Sequence, residues 1–244
     1  MGSEQIDVPF SFEQLASFLL KSPYITMVWG DVGVGKSTFA LQIAKIVVKS
    51  HKKKVFYLNT KETSNFSIIS RIFEIPISES STSQGDEIPF FCFQKNTVQQ
   101  QFECISQWLL QIQQHFRLFN EISVGLIIVD EIFSNYLIEL RKEQTNEKLN
   151  RKMALILATL RQLAAKFNIP ILLINTFSIK EHPETKQLVA TPHGGKILNF
   201  WVDAELKVTR SSLLQVINFK VIKAPFSTFV PLNWKWKLNE TGFI

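Results

Sequence analysis

Cysteine is nearly absent, with only Cys92 and Cys104 in 244 residues. Secreted domains of this type usually carry more, so neither a disulfide framework nor an oxidising compartment is expected. No apolar run approaches the ~18 residues that a membrane span needs. The opening MGSEQIDVPF lacks the basic and apolar regions of a secretory signal. A strong charge of one sign is missing too: Lys+Arg 27 against Asp+Glu 21 leaves +6. That mild excess permits nucleic-acid contact without requiring it. With 45% apolar and 20% charged residues the chain is compositionally ordinary, which excludes disorder, collagen and a disulfide scaffold. The expectation is a soluble, cytoplasmic protein with no membrane contact, forming one domain over residues 1–244.

What is present is a strand–helix alternation rich in Phe, Ile and Leu. Ser11–Leu20 predicts a helix with Ser11 as N-cap and Gln14 three positions on. Tyr24–Trp29, Val55–Leu58, Phe90–Phe93, Val124–Val129 and Ile169–Ile174 read as strands. Ser37–Ser50, Ser67–Phe73, Thr97–Phe116 and Leu149–Phe167 read as helices, the third with Val98, Phe102, Ile105, Trp108, Leu109, Ile112 and Phe116 as its core stripe. The run Lys49–Lys54 is a solvated helix end that suits the C-terminal dipole. Ser78–Gly85 is a surface loop. Beyond Trp201 the pattern changes: Trp201–Thr209, Leu213–Val221 and Val230–Leu238 are strands with no long helix between them. The fold class is therefore α/β, a mostly parallel sheet flanked by helices with an antiparallel C-terminal extension.

The chemistry is concentrated in Gly30-Asp31-Val32-Gly33-Val34-Gly35-Lys36-Ser37, which fits G-x-x-x-x-G-K-[ST] at every position, with a strand before it and a helix after it. Glycines let the backbone curl so that successive N–H groups face phosphate oxygens, and the helix adds the positive end of its dipole. Thr38, next along, belongs to the same phosphate-binding stretch. Lys36 is expected to reach the β- and γ-phosphates and to face solvent before a ligand arrives. Ser37 is expected to ligate Mg²⁺. Leu126–Val129 leads to Asp130 at the strand tip, where it can hold the same ion through water. The absence of N-K-x-D favours ATP over GTP. Glu62 and Glu131 are the candidates for orienting an attacking water, although alternation along a strand would point Asp130 and Glu131 to opposite sides unless the strand has ended.

The order of these pieces resembles the RecA/RadA recombinase core, and most closely the short archaeal RadA paralogues of the RadB type. Four stretches carry it: GDVGVGKSTFALQ at Gly30–Gln42, VFYLNTKET at Val55–Thr63, LIIVDEIFSNY at Leu126–Tyr136, and Leu149–Leu198 with Pro192-His193-Gly194-Gly195-Lys196-Ile197. The resemblance runs from about Pro9 onward and implies a RecA-like P-loop ATPase with ATP and Mg²⁺ as cofactors. It also implies two DNA loops, Ile138–Asn150 and Ser178–Lys196, carrying Arg141, Lys142, Lys180, His193 and Lys196. A neighbour's nucleotide would be touched in trans by Lys223, just ahead of Pro225. Single-stranded DNA and a main RadA-type recombinase, or another paralogue, are the partners it implies.

Three departures modify the resemblance. The family's D-T-E-G-T reads Asn59-Thr60-Lys61-Glu62-Thr63 here, so a lysine stands at the usual carboxylate position. The sensor Asn-Gln is Asn175-Thr176. The adenine-stacking Arg falls near Ile68. Slow, partner-stimulated hydrolysis is expected, and so is a monomer or small oligomer, because the family's N-terminal domain and polymerisation segment find no match. The other function in view is a KaiC-like nucleotide-dependent scaffold or switch without DNA contact. A hydrophobic partner patch is expected around Trp234 and Trp236 or the Phe-rich C-terminal strands.

Overall fold

A computed structural model of the chain describes residues 11–20, 23–61, 66–74, 89–140, 146–181, 186–225 and 233–244. The first element, α1 (Phe12–Leu19), begins at the predicted capping box: Ser11 Oγ accepts from the Gln14 N–H at 3.2 Å, and Gln14 Oε1 accepts from the Ser11 N–H at 2.9 Å. Then come β1 (Ile25–Gly30), α2 (Lys36–His51), β2 (Lys54–Asn59), α3 (Phe66–Phe73), β3 (Phe90–Gln94), α4 (Val98–Phe119), β4 (Val124–Asp130), α5 (Ser134–Leu140), α6 (Asn146–Phe167) and β5 (Ile171–Asn175). A hairpin of β6 (Phe177–Glu181) and β7 (Leu188–Pro192) leads to α7 (Gly195–Trp201), and β8 (Ala204–Arg210), β9 (Val216–Lys223), β10 (Asn233–Asn239) and β11 (Gly242–Phe243) follow.

Among the described residues the main sheet runs β11-β10-β9-β8-β1-β5-β4-β2-β3. The strands from β8 to β3 are mutually parallel, and β9, β10 and β11 join antiparallel at the other edge. The apolar central strands β1, β4 and β5 read as continuous hydrophobic runs because helices cover both of their faces. One face buries α1, α2 and α3, with Phe39, Leu41 and Ile43 completely covered. The other buries α4, α6 and α7 around Trp108, Ile156 and Leu160. Each such side chain contributes roughly 1.5–3 kcal/mol relative to exposure.

Several expectations need correction. Phe116, placed in the α4 core stripe, is 39% exposed, and its ring meets that of Phe167 edge-on at 6.0 Å. Trp234 and Trp236 form no surface patch; both are buried, packed on Phe219 with ring centroids 5.4 and 5.0 Å away. They alternate along β10 with exposed Asn233, Lys235 and Lys237, so the apolar residues face the core. Of the two expected DNA segments, 141–145 and 182–185 lie outside the described residues, and most of the rest is helix or strand. Residues 134–140 are helical, α6 begins at Asn146, and Ser178–Glu181 pairs with Leu188–Thr191. Trp201 ends a short helix, so the strand expected there starts at Ala204.

Candidate nucleotide site

The loop joining β1 to α2 sits at the C-terminal edge of the parallel strands, between β5 and β8, where ligands bind in open α/β sheets. Gly30 is required by tertiary contact: at φ +146 a Cβ would lie 1.7 Å from the Val208 carbonyl oxygen of β8. Gly35 takes a left-handed conformation and caps α2 without a side chain. The first N–H groups of α2 are therefore left to face the loop interior.

Lys36 is not solvent-facing, contrary to expectation. It is 7% exposed, and its ammonium donates to the Gly30 carbonyl at 2.9 Å and the Asp31 carbonyl at 2.6 Å. A buried ammonium needs acceptors, and the curled loop supplies them from its own backbone. Burial holds its pKa below the ordinary lysine range, the carboxylate of Glu131 acting in the opposite direction. Asp31 anchors the loop, with its carboxylate accepting from the Arg210 N–H at 3.0 Å. Val32 is 81% exposed at the loop tip, Val34 is buried, and Thr38 is half-buried one residue past Ser37.

Ser37 and Asp130 are both buried and both turned to one point. That point holds Lys61, whose ammonium donates to Ser37 Oγ at 2.7 Å and lies 3.4 Å from Asp130 Oδ1 and 3.5 Å from Glu131 Oε1. Asp130 ends β4, and Glu131 adopts a left-handed φ of 64. The strand has ended, so both carboxylates reach the same ammonium. The Tyr57 hydroxyl donates to the other oxygen of Asp130, and the Thr60 hydroxyl sits 2.9 Å from the Asp130 carbonyl and 2.5 Å from that of Glu131. In kind, a hydroxyl and a carboxylate are the hard oxygen donors that suit Mg²⁺. Among the described residues no group of three or more His, Cys, Asp or Glu is arranged to hold a metal.

Lys36, Ser37, Asp130 and Glu131 thus converge on one site. Tyr57, Thr60 and Arg210 were not foreseen as parts of it, nor was Lys61 as its central cation. The period-two alternation through 57, 59 and 61 was a usable signal for Tyr57 and Lys61, but the pairing of β2 with β4 that brings them to Asp130 is tertiary. Glu62, Arg141 and Lys142 lie outside the described residues.

The remaining residues gather around the hairpin and α7. Lys180 is exposed on β6, and Lys196 is exposed in the first turn of α7. His193 is partly covered, and burial together with the Lys180 charge lowers its pKa, so at neutral pH it is an uncharged imidazole. Its carbonyl accepts from Asn175 Nδ2 at 2.8 Å, which ties the hairpin to the end of β5. Lys223 donates to the carbonyls of Asn199, at 3.1 Å, and Val202 of its own chain, with Pro225 two residues on. Nearby, Glu205 accepts from Trp29 Nε1 at 2.7 Å, and its burial raises the carboxyl pKa.

The chain matches the family described as DnaB-like helicase C terminal domain over residues 9–188. It is 25% identical over 211 residues to the DNA repair and recombination protein RadB of Methanococcus maripaludis, covering 85% of this chain and 86% of that one. The RadB of Methanosphaera stadtmanae is 23% identical over 212 residues, covering 86% and 83% respectively. Among solved structures, the crystal structure of the RadB recombinase superposes with a TM-score of 0.65 at 19% identity, covering 91% of this chain and 90% of that one. That likeness establishes a RecA-like fold, in agreement with the parallel sheet and the loop before α2. The chain belongs to the DnaB-like helicase C-terminal-domain family, has a RecA-like fold, and is similar to RadB proteins over most of its length.

Proposed function

We propose that this chain is a recombinase paralogue that binds ATP at the Gly30–Thr38 loop, hydrolyses it slowly, and contacts DNA while assisting a main recombinase. The observation that carries the reading is the convergence of Lys36, Ser37 and Asp130 beside the open N-terminus of α2. Phosphates would displace Lys36 from the Gly30 and Asp31 carbonyls and take its ammonium together with the loop N–H groups. Ser37 and Asp130 would hold Mg²⁺, which would supply neutralisation of phosphate charge. Glu62 or Glu131 would orient the water. The relatives named for DNA repair and recombination support the biological role. DNA contact is proposed for Lys180 and Lys196, with Arg141 and Lys142 from the preceding segment, and single-stranded DNA is the form we favour.

Calorimetry of ATP binding to wild type and Lys36→Ala tests the reading. The variant should lose affinity by about tenfold or more, since a charge-assisted contact to phosphate disappears. Its stability should fall by about 1–3 kcal/mol without unfolding the protein, because the Gly30 and Asp31 carbonyls stay in place and lose this donor. Equal affinity in both proteins would refute nucleotide binding at this loop.

A further inference from the structure

Lys61 stands where recombinases of this type carry a carboxylate, and its surroundings are built for it. Its backbone N–H donates to Asn59 Oδ1 at 3.0 Å, and its carbonyl accepts from Gln94 Nε2 at 3.3 Å, so the residue is anchored at the ends of β2 and β3. The side chain then reaches across the end of β4 to Ser37, Asp130 and Glu131, at 2.7, 3.4 and 3.5 Å. Asp130 is fully buried, and such a carboxylate is stable in its charged form only with a counter-charge beside it. The left-handed turn at Glu131 swings a second carboxylate onto the same ammonium. A divalent hard cation takes oxygen ligands at about 2.0–2.1 Å and keeps several waters. On Ser37 Oγ it would stand beside an ammonium that already donates to that oxygen, and the two positive charges oppose each other there.

We propose that Lys61 is the resident cation of the phosphate site, so that this chain binds nucleoside di- and triphosphates without a divalent ion, and Mg²⁺ enters only by displacing the ammonium. The inference rests on the nucleotide-binding reading and goes beyond it. Two tethered ammoniums, Lys36 on the Gly30 and Asp31 carbonyls and Lys61 on Ser37 Oγ, stand at the loop. Their charge is fixed to the chain and does not vary with free ion concentration. Magnesium would then matter for turnover more than for occupancy.

The test is titration with a fluorescent ATP analogue in excess EDTA and in excess magnesium, using wild type, Lys61→Met and Lys61→Arg. Wild type should bind with affinities within about threefold of each other in the two conditions, and Lys61→Arg should follow it. Lys61→Met, which keeps the aliphatic stem, should lose about tenfold or more in EDTA and regain it with magnesium. Manganese titration followed by electron paramagnetic resonance gives a second readout: the nucleotide complex of Lys61→Met should take Mn²⁺ more tightly than that of wild type. A wild type that needs magnesium to bind overturns the proposal without recourse to any variant. Equal Mn²⁺ affinities overturn the displacement step. If no form binds nucleotide in either condition, the nucleotide-binding reading falls first and takes this inference with it.

Discussion

Glu131 shows how a single backbone angle sets the character of the site. Its φ of 64 ends β4 abruptly and brings its carboxylate to the ammonium that Asp130 also faces. Glu131 Oε1 lies 3.5 Å from the Lys61 ammonium, and that contact competes with orienting an attacking water, which argues for slow turnover. Glu62 and Glu131 are the two groups we propose for orienting that water, Glu62 because it adjoins the position where the resemblance puts a carboxylate. Removing the one that serves should lower turnover by a factor of about 10²–10⁴. Single-turnover hydrolysis by Glu62→Gln and Glu131→Gln, compared separately with wild type, decides between them. Full activity in both would show that neither orients the water.

The segment from β6 to α7 shows why a short glycine pair is needed between a hairpin and a helix. At Gly194, φ is +95, and a Cβ would stand 2.4 Å from the ring of Phe133. The turn therefore passes flat against the residue that follows β4 by three positions, joining the hairpin to the edge that carries Asp130. Gly194→Ala should cost about 1–3 kcal/mol through backbone strain and overpacking together. Urea unfolding would measure it, and an unchanged midpoint would mean that the turn has another conformation open to it. The hairpin itself is not strongly cationic. Ile179 and Leu188 are exposed beside Lys180 and Lys186, and His193 is neutral. If DNA binds here, its affinity should fall with salt with a shallow slope, and Lys180→Glu with Lys196→Glu should weaken binding at fixed salt. An unchanged isotherm in the double variant would place DNA elsewhere on the molecule.

At the scale of the molecule, the antiparallel edge decides what is left for partners. Phe219, Trp234, Trp236 and Phe243 pack on Phe39 and Phe12 of the helices, so the aromatic wealth of the C-terminal strands is spent on the core. Exposed apolar side chains occur instead at Phe200, Leu213, Leu214 and Ile222. Lys223 is engaged with the C-terminal carbonyls of α7 in its own chain, and a trans contact with a neighbour's phosphate would require those bonds to break. We therefore expect small particles, not long homofilaments, when light scattering is measured with ATP and single-stranded DNA present. Extended filaments under those conditions would show that Lys223 or another group does cap a neighbour's nucleotide, and would favour an autonomous recombinase.

The strand–helix order, the glycine loop and the acid at the end of β4 were legible in the sequence because each is written in local terms. Continuous apolar runs mark strands covered on both faces, Ser11 and Gln14 mark a helix start, and eight consecutive residues specify a phosphate-binding curl. The convergence of Asp130 and Glu131 on Lys61 and the burial of Trp234 and Trp236 depended on contacts between residues distant in the chain. Lys61 and Asp130 are joined only because β2 pairs with β4. Likewise the close approach of Gly30 to Val208 of β8, which leaves no space for a Cβ, is a contact between residues far apart in the chain. Periodicity records which face of an element is apolar, but which strand lies beside which is settled by packing the whole sheet between its two helical layers. That packing turned the lysine which the sequence carries at the usual carboxylate position onto Ser37, Asp130 and Glu131.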